Sequence, residues 1–172
     1  MVSRSQAASV QERASPGIAG ARRGRRCRIP LYSHDTMGIG HMRRNLLIAT
    51  ALAHSSLRPS ILLIAGAREA SAFPMPPSVD CLTLPVYRKE ADGRYQSRSL
   101  DLPLDQLVRL RAGTIAAALE AFEPDVLIVD KVARGAFAEL DPALASSRAK
   151  GRTRCVLGLR DVLDDPDAVR RE

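Results

Sequence analysis

Short apolar runs alternating with longer stretches of helical periodicity constrain this chain more than any other feature. RIPLYSH (28–34), SILLIAG (60–66), DCLTLPVY (80–87), PDVLIVDK (124–131) and RCVLGLRD (154–161) read as strands. Between them the spacing predicts helices over 42–54, 103–122 and near 135–148. SILLIAG is apolar throughout, as a strand covered on both faces should be. Such alternation is the mark of β-α-β units and a mainly parallel sheet. The polar stretch RKEADGRYQSRS (88–99) reads as a loop around Asp92-Gly93. In the helix over 103–122, Leu104, Leu107, Val108, Ile115, Ala118, Leu119 and Phe122 form one core stripe, which Arg111 interrupts. The expectation is that the Arg111 stem packs while its guanidinium reaches water; a buried anion or carboxylate partner is the alternative.

A chain of 172 residues suffices for one domain with a real core. The formal charge of +7 invites a nucleic-acid reading until it is located: residues 1–28 hold seven arginines against one glutamate, so nearly all of the excess lies there. That segment has almost no apolar periodicity and is expected to be a disordered basic arm, with residues 29–172 forming the domain. An organellar transit peptide or an arm for an anionic partner are the other readings of it. Cys27, Cys81 and Cys155 are odd in number and widely spaced, which supports neither a disulfide framework nor a zinc site and fits a reducing cytosol. No apolar run approaches the roughly 20 residues needed to span a bilayer, so a cytoplasmic protein is expected, with peripheral membrane contact left open.

The segment SHDTMGIGHMRRN (33–45) joins the first strand to the first helix. A glycine turn there lets backbone N–H groups approach an anion at the helix start, and Gly38 and Gly40 suit that role. The dinucleotide fingerprint needs a third small residue where this chain has Arg43, and the Gly-Lys-Ser/Thr of the ATP loop does not follow. In their place stands His41, an imidazole at the helix mouth able to accept a hydroxyl proton near neutral pH. Asp35 could orient an imidazole or bind a sugar hydroxyl; His34, nearer the strand, reads as structural. Arg43 and Arg44 meet phosphate or face water. The bland alternative is that the glycines only turn the chain and His41 only caps the helix.

Taken in order, SHDTMGIGHMRRNLLIATAL, LIAG, PDVLIVDK and LGLRDVLDDP resemble the N-terminal half of a GT-B glycosyltransferase. The similarity is to the predicted glycosyltransferase family related to the peptidoglycan lipid-linked N-acetylglucosaminyltransferases. It runs from about Ile29 to the C-terminus. It implies a Rossmann-like three-layer domain, the acceptor side of a two-domain enzyme whose second domain binds a nucleotide-diphosphate sugar. By resemblance, Gly38, Gly40 and Arg43 line the cleft near the phosphates or acceptor, and His41, with Asp35, is the candidate base that activates the acceptor hydroxyl. The strand-end pairs Asp130-Lys131 and Arg160-Asp161 fall at the same cleft, although ordinary salt bridges are the favoured reading of both. No metal or other cofactor is implied.

The chain reads as stopping before a donor-binding domain, so little transferase activity is expected of it alone; the nucleotide-sugar donor would come through a second domain or a separate chain. Uncovered apolar surface and self-association are expected with it. A non-catalytic α/β module for an anionic ligand is the rival function. Nucleic-acid binding through the arm ranks last, because 3% aromatic residues leave little for base stacking.

Overall fold

The structure, a computed structural model, describes residues 25–34 and 39–159. Its elements run β1 (Arg28–Ser33), α1 (Gly40–Ala53), β2 (Ser60–Ala65), β3 (Val79–Thr83), β4 (Tyr87–Lys89), β5 (Tyr95–Ser97), α2 (Leu104–Phe122), β6 (Val126–Asp130), α3 (Asp141–Lys150) and β7 (Arg154–Gly158). Five strands form one all-parallel sheet in the order β3-β2-β1-β6-β7. The chain therefore steps outward from β1 on one side and returns to its other side at β6. In open sheets of this kind, ligands bind beyond the strand ends at that reversal.

Period-two alternation sends neighbouring residues of a strand to opposite layers. Ile29 and Leu31 of β1 join Ile61, Leu63, Met42 and Ala49 beneath α1. Tyr32 joins Ile64, Ile115, Leu119, Leu127, Val129 and Leu140 beneath α2 and α3. The result is an α/β three-layer, Rossmann-like domain. None of the described helices is long and apolar enough to cross a membrane.

Departures from the sequence reading have local causes. The third strand stops at Thr83, two residues before Pro85, which has no N–H for a ladder. The polar stretch that follows is partly a hairpin, with Tyr87 paired to Ser97 and Lys89 to Tyr95. The third helix begins at Asp141 rather than near 135, because Gly135, Phe137 and Ala138 have φ of 71°, 51° and 59°, outside any right-handed helix. Pro142 then sits in the first turn of α3, where its missing N–H is harmless. Arg25 and Arg28, assigned to the arm by sequence, anchor the base of the sheet: Arg25 pairs with Asp125 at 2.8 Å, and the Arg28 amide donates to Asp125 at 2.8 Å.

Arg111 overturns the favoured reading of a guanidinium in water and takes the alternative, a buried carboxylate partner. It does not reach water: its side chain and that of Glu139 are both 0% exposed. Arg111 Nε donates to Glu139 Oε2 and Nη2 to Oε1, each at 2.6 Å, and Tyr87 donates to Oε2 at 2.7 Å. Tyr32 donates to Oε1 as well, and Arg111 Nη1 donates to Pro85 O. Every lone pair direction of the carboxylate is thus occupied, so the guanidinium finds inside the fold what water would otherwise offer. Burial opposes the charge of Arg111, but Glu139 outweighs it and tightens the proton. Burial and the same carboxylate push both tyrosine hydroxyls up. The cluster ties β1, β4 and α2 to the strained segment that leads from β6 into α3.

Val156, Leu157 and Leu159, in and just after the outer strand β7, are exposed, as is Leu47 on α1.

Candidate active site at the reversal of strand order

β1 and β6 are neighbours in the sheet, with Leu31 against Ile128 and Tyr32 against Val129. Their ends deliver His34 and Asp130 to the mouth of the reversal, and α1 starts directly above with Gly40 and His41. Asp130 follows Ile128 in the two-residue alternation, so its side chain falls on the α1 face. There Asp130 Oδ2 lies 2.6 Å from His41 Nδ1, and Arg44 Nη1 donates to Oδ1 at 3.0 Å. Asp130 is 2% exposed, against 19% for His41. Burial alone would raise the Asp130 carboxyl, but the hydrogen bond and charge of His41, with Arg44, hold it below its usual range. An ionised carboxylate only accepts, so His41 Nδ1 carries the proton in this pair and Nε2 is left as the basic nitrogen.

Arg44 has a second duty. Its Nη2 donates to Leu159 O at 2.9 Å, fastening the chain beyond β7 to the same carboxylate. The Arg44 guanidinium is thus engaged by two partners while remaining about one third exposed, at 34%. Arg43, one residue earlier, is exposed. Among the described residues, nothing lies within 4 Å of where a Cβ on Gly40 would be, so their packing does not require a glycine there. The N-cap of α1 is Ile39, whose side chain makes no capping hydrogen bond, and the first turn of the helix holds no acidic residue.

Asp130 does form a salt bridge, as the ordinary reading of the strand-end charges expects, with Arg44 at 3.0 Å. Lys131 turns the backbone at φ 63°, and its amide donates to Gly158 O at 2.9 Å. Asp35, Gly38, Arg160 and Asp161 lie outside the described residues. Among the described ones, the structure brings together His34, His41, Arg44 and Asp130. Sequence reasoning gave the orienting role to Asp35 and did not connect Asp130 to His41. The order of parallel strands was the missing link, because it alone makes the ends of β1 and β6 adjacent.

His34 is half-buried, and its ring centre lies 4.9 Å from that of His41 with the planes tilted by 45°. Burial, then the neighbouring His41, push it down to about 4, against the pull of Asp130 and Glu139. It is neutral at physiological pH.

No protein-family model matches the chain, and no curated protein is detectably similar to it in sequence.

Proposed function

We propose that this domain is the acceptor side of a GT-B-like glycosyltransferase, in which His41 takes the proton from an acceptor hydroxyl as that oxygen attacks the anomeric carbon of a nucleotide-diphosphate sugar. The observation that carries the reading is the His41–Asp130 contact at the reversal of strand order. A buried carboxylate that fixes Nδ1 sets the tautomer, holds the ring, and stabilises the imidazolium that forms when Nε2 accepts a proton. Only the imidazole meets the substrate; Asp130 acts through it. The leaving diphosphate gains negative charge in the same step and needs N–H groups or cations close by. The N–H groups at the start of α1 and the exposed Arg43 are the described groups that suit this need. The donor would be held by a second domain or a separate chain.

The test is nucleotide diphosphate release by the natural gene product, with a panel of nucleotide sugars and saccharide or lipid-linked acceptors. Acceptor-dependent release that falls about 10²- to 10⁴-fold in H41A supports the reading. Release that is undiminished in a folded H41A protein refutes the base. Binding of a nucleotide or other anion with no transfer from any donor supports the rival binding module.

A further inference from the structure

Gly66, which closes the segment SILLIAG, lies against the strand beside it. Its amide donates to Ser33 O at 3.1 Å, and a Cβ at this position would stand 2.0 Å from His34 O. No side chain can enter that space. The chain leaving β1 thus runs against bare backbone, which fixes where His34 emerges. The two sequence segments SHD and LIAG meet at this point for a packing reason.

His34 is held there with an unmet requirement. Its Nδ1 is buried and has no hydrogen-bond partner among the described residues. Buried polar atoms without partners are rare in folded proteins, and each calls for an explanation such as a bound water or ligand. The groups around this one are His41, Asp130, Glu139 and Lys131, which set its electrostatic surroundings without relieving Nδ1. A neutral imidazole offers one donor and one acceptor and no charge. A hydroxyl, which can play either part, complements it; a phosphate oxygen gains nothing from it that Arg43 would not supply better.

We propose that His34 is a second ligand-contacting histidine of the crevice, whose Nδ1 hydrogen-bonds a hydroxyl of a sugar or polyol acceptor next to the hydroxyl that His41 faces. The class of ligand rests on the transferase reading; the contact itself does not.

Asparagine can place an amide atom near the Nδ1 position, whereas the longer glutamine matches Nε2. The experiment is ¹⁵N-histidine NMR of the natural gene product titrated with glucose and with N-acetylglucosamine, in the wild type, H34N, H34Q and H41A. The Nδ1 resonance of His34 should move saturably in the wild type and in H41A. Sugar affinity should fall about tenfold in H34Q, the loss of one hydrogen bond, and stay near wild type in H34N. An Nδ1 resonance indifferent to both sugars overturns the proposal, as does equal affinity in wild type and H34Q. If H34Q does not fold, the wild-type titration decides alone. A responsive Nδ1 in a protein that transfers no sugar keeps the contact and discards the transferase; transfer with Nδ1 silent does the reverse.

Discussion

Asp130 Oδ2 and His41 Nδ1, 89 positions apart in the chain, meet at 2.6 Å across the gap between the end of β6 and the start of α1. The meeting depends on three separate features. Parallel pairing puts β6 beside β1, two-residue alternation aims Asp130 at the α1 layer, and the first residues of α1 lie over that spot. The same carboxylate also receives Arg44, which fastens Leu159, so the site and the path out of β7 share one anchor.

D130N tests how much of the site depends on charge. The amide keeps the volume but loses the charge-assisted bonds to His41 and Arg44, and it can present an N–H to a ring nitrogen that should carry the proton. Stability should drop by about 1–3 kcal/mol in urea unfolding. The His41 ring should lose its fixed tautomer. A variant as stable as wild type, with an unaltered His41 spectrum, would show that the contact carries no weight.

Breaking the buried pair on the other face should cost more. R111M leaves Glu139 charged and E139M leaves Arg111 charged, each inside a fully enclosed site, and each should lose about 3–5 kcal/mol in chemical denaturation. The double variant R111M/E139M, which leaves neither charge buried, should recover much of the loss. If the single losses simply add in the double variant, the two side chains are not coupled and the assignment fails.

The neutral state of His34 has a pH signature whose sign is fixed. Its folded value of about 4 lies below the ordinary 6.5, so the unfolded chain binds the proton first as pH falls. Its contribution is complete above pH 6.5 and is lost between 6.5 and 4, by at most about 3 kcal/mol. Asp130 is depressed as an acid, so its contribution is present above the ordinary carboxylate value of 3.8 and is lost below it. Urea midpoints measured from pH 7 to pH 3 should show the two losses in that order. In H34N the upper one should vanish while the lower one remains.

Two glycines of the crevice should behave oppositely. G66A places a methyl 2.0 Å from His34 O and should cost at least about 2 kcal/mol, because backbone must move to admit it. G40A meets no described residue within 4 Å and should fold normally. Thermal melts of the two variants distinguish them. A loss of ligand affinity in a fully stable G40A would mean that the ligand, not the protein, requires the glycine.

The layers were legible in the sequence because SILLIA and VLIVD are continuous apolar runs and the α2 stripe keeps a helical period. Arg111 was misread because a cation on an apolar helix face looks the same in sequence whether it reaches water or a carboxylate. Glu139, which decides the matter, lies 28 positions away in a segment whose left-handed residues have no helical or strand pattern. His41 was visible from its place after a glycine turn. Its partner was not, since nothing local to PDVLIVDK says which helix its last carboxylate faces. Asp35 was singled out for its proximity along the chain, and it lies outside the described residues.

Asp130 holds the proton of His41 on Nδ1 and leaves Nε2 as the nitrogen without one. The most direct measurement is the ¹⁵N spectrum of the His41 ring near neutral pH, compared between wild type and D130N. The account predicts a protonated Nδ1 and a bare Nε2 in the wild type, with that preference lost in D130N. A wild-type ring protonated on Nε2 alone, or the same spectrum in both proteins, would contradict it.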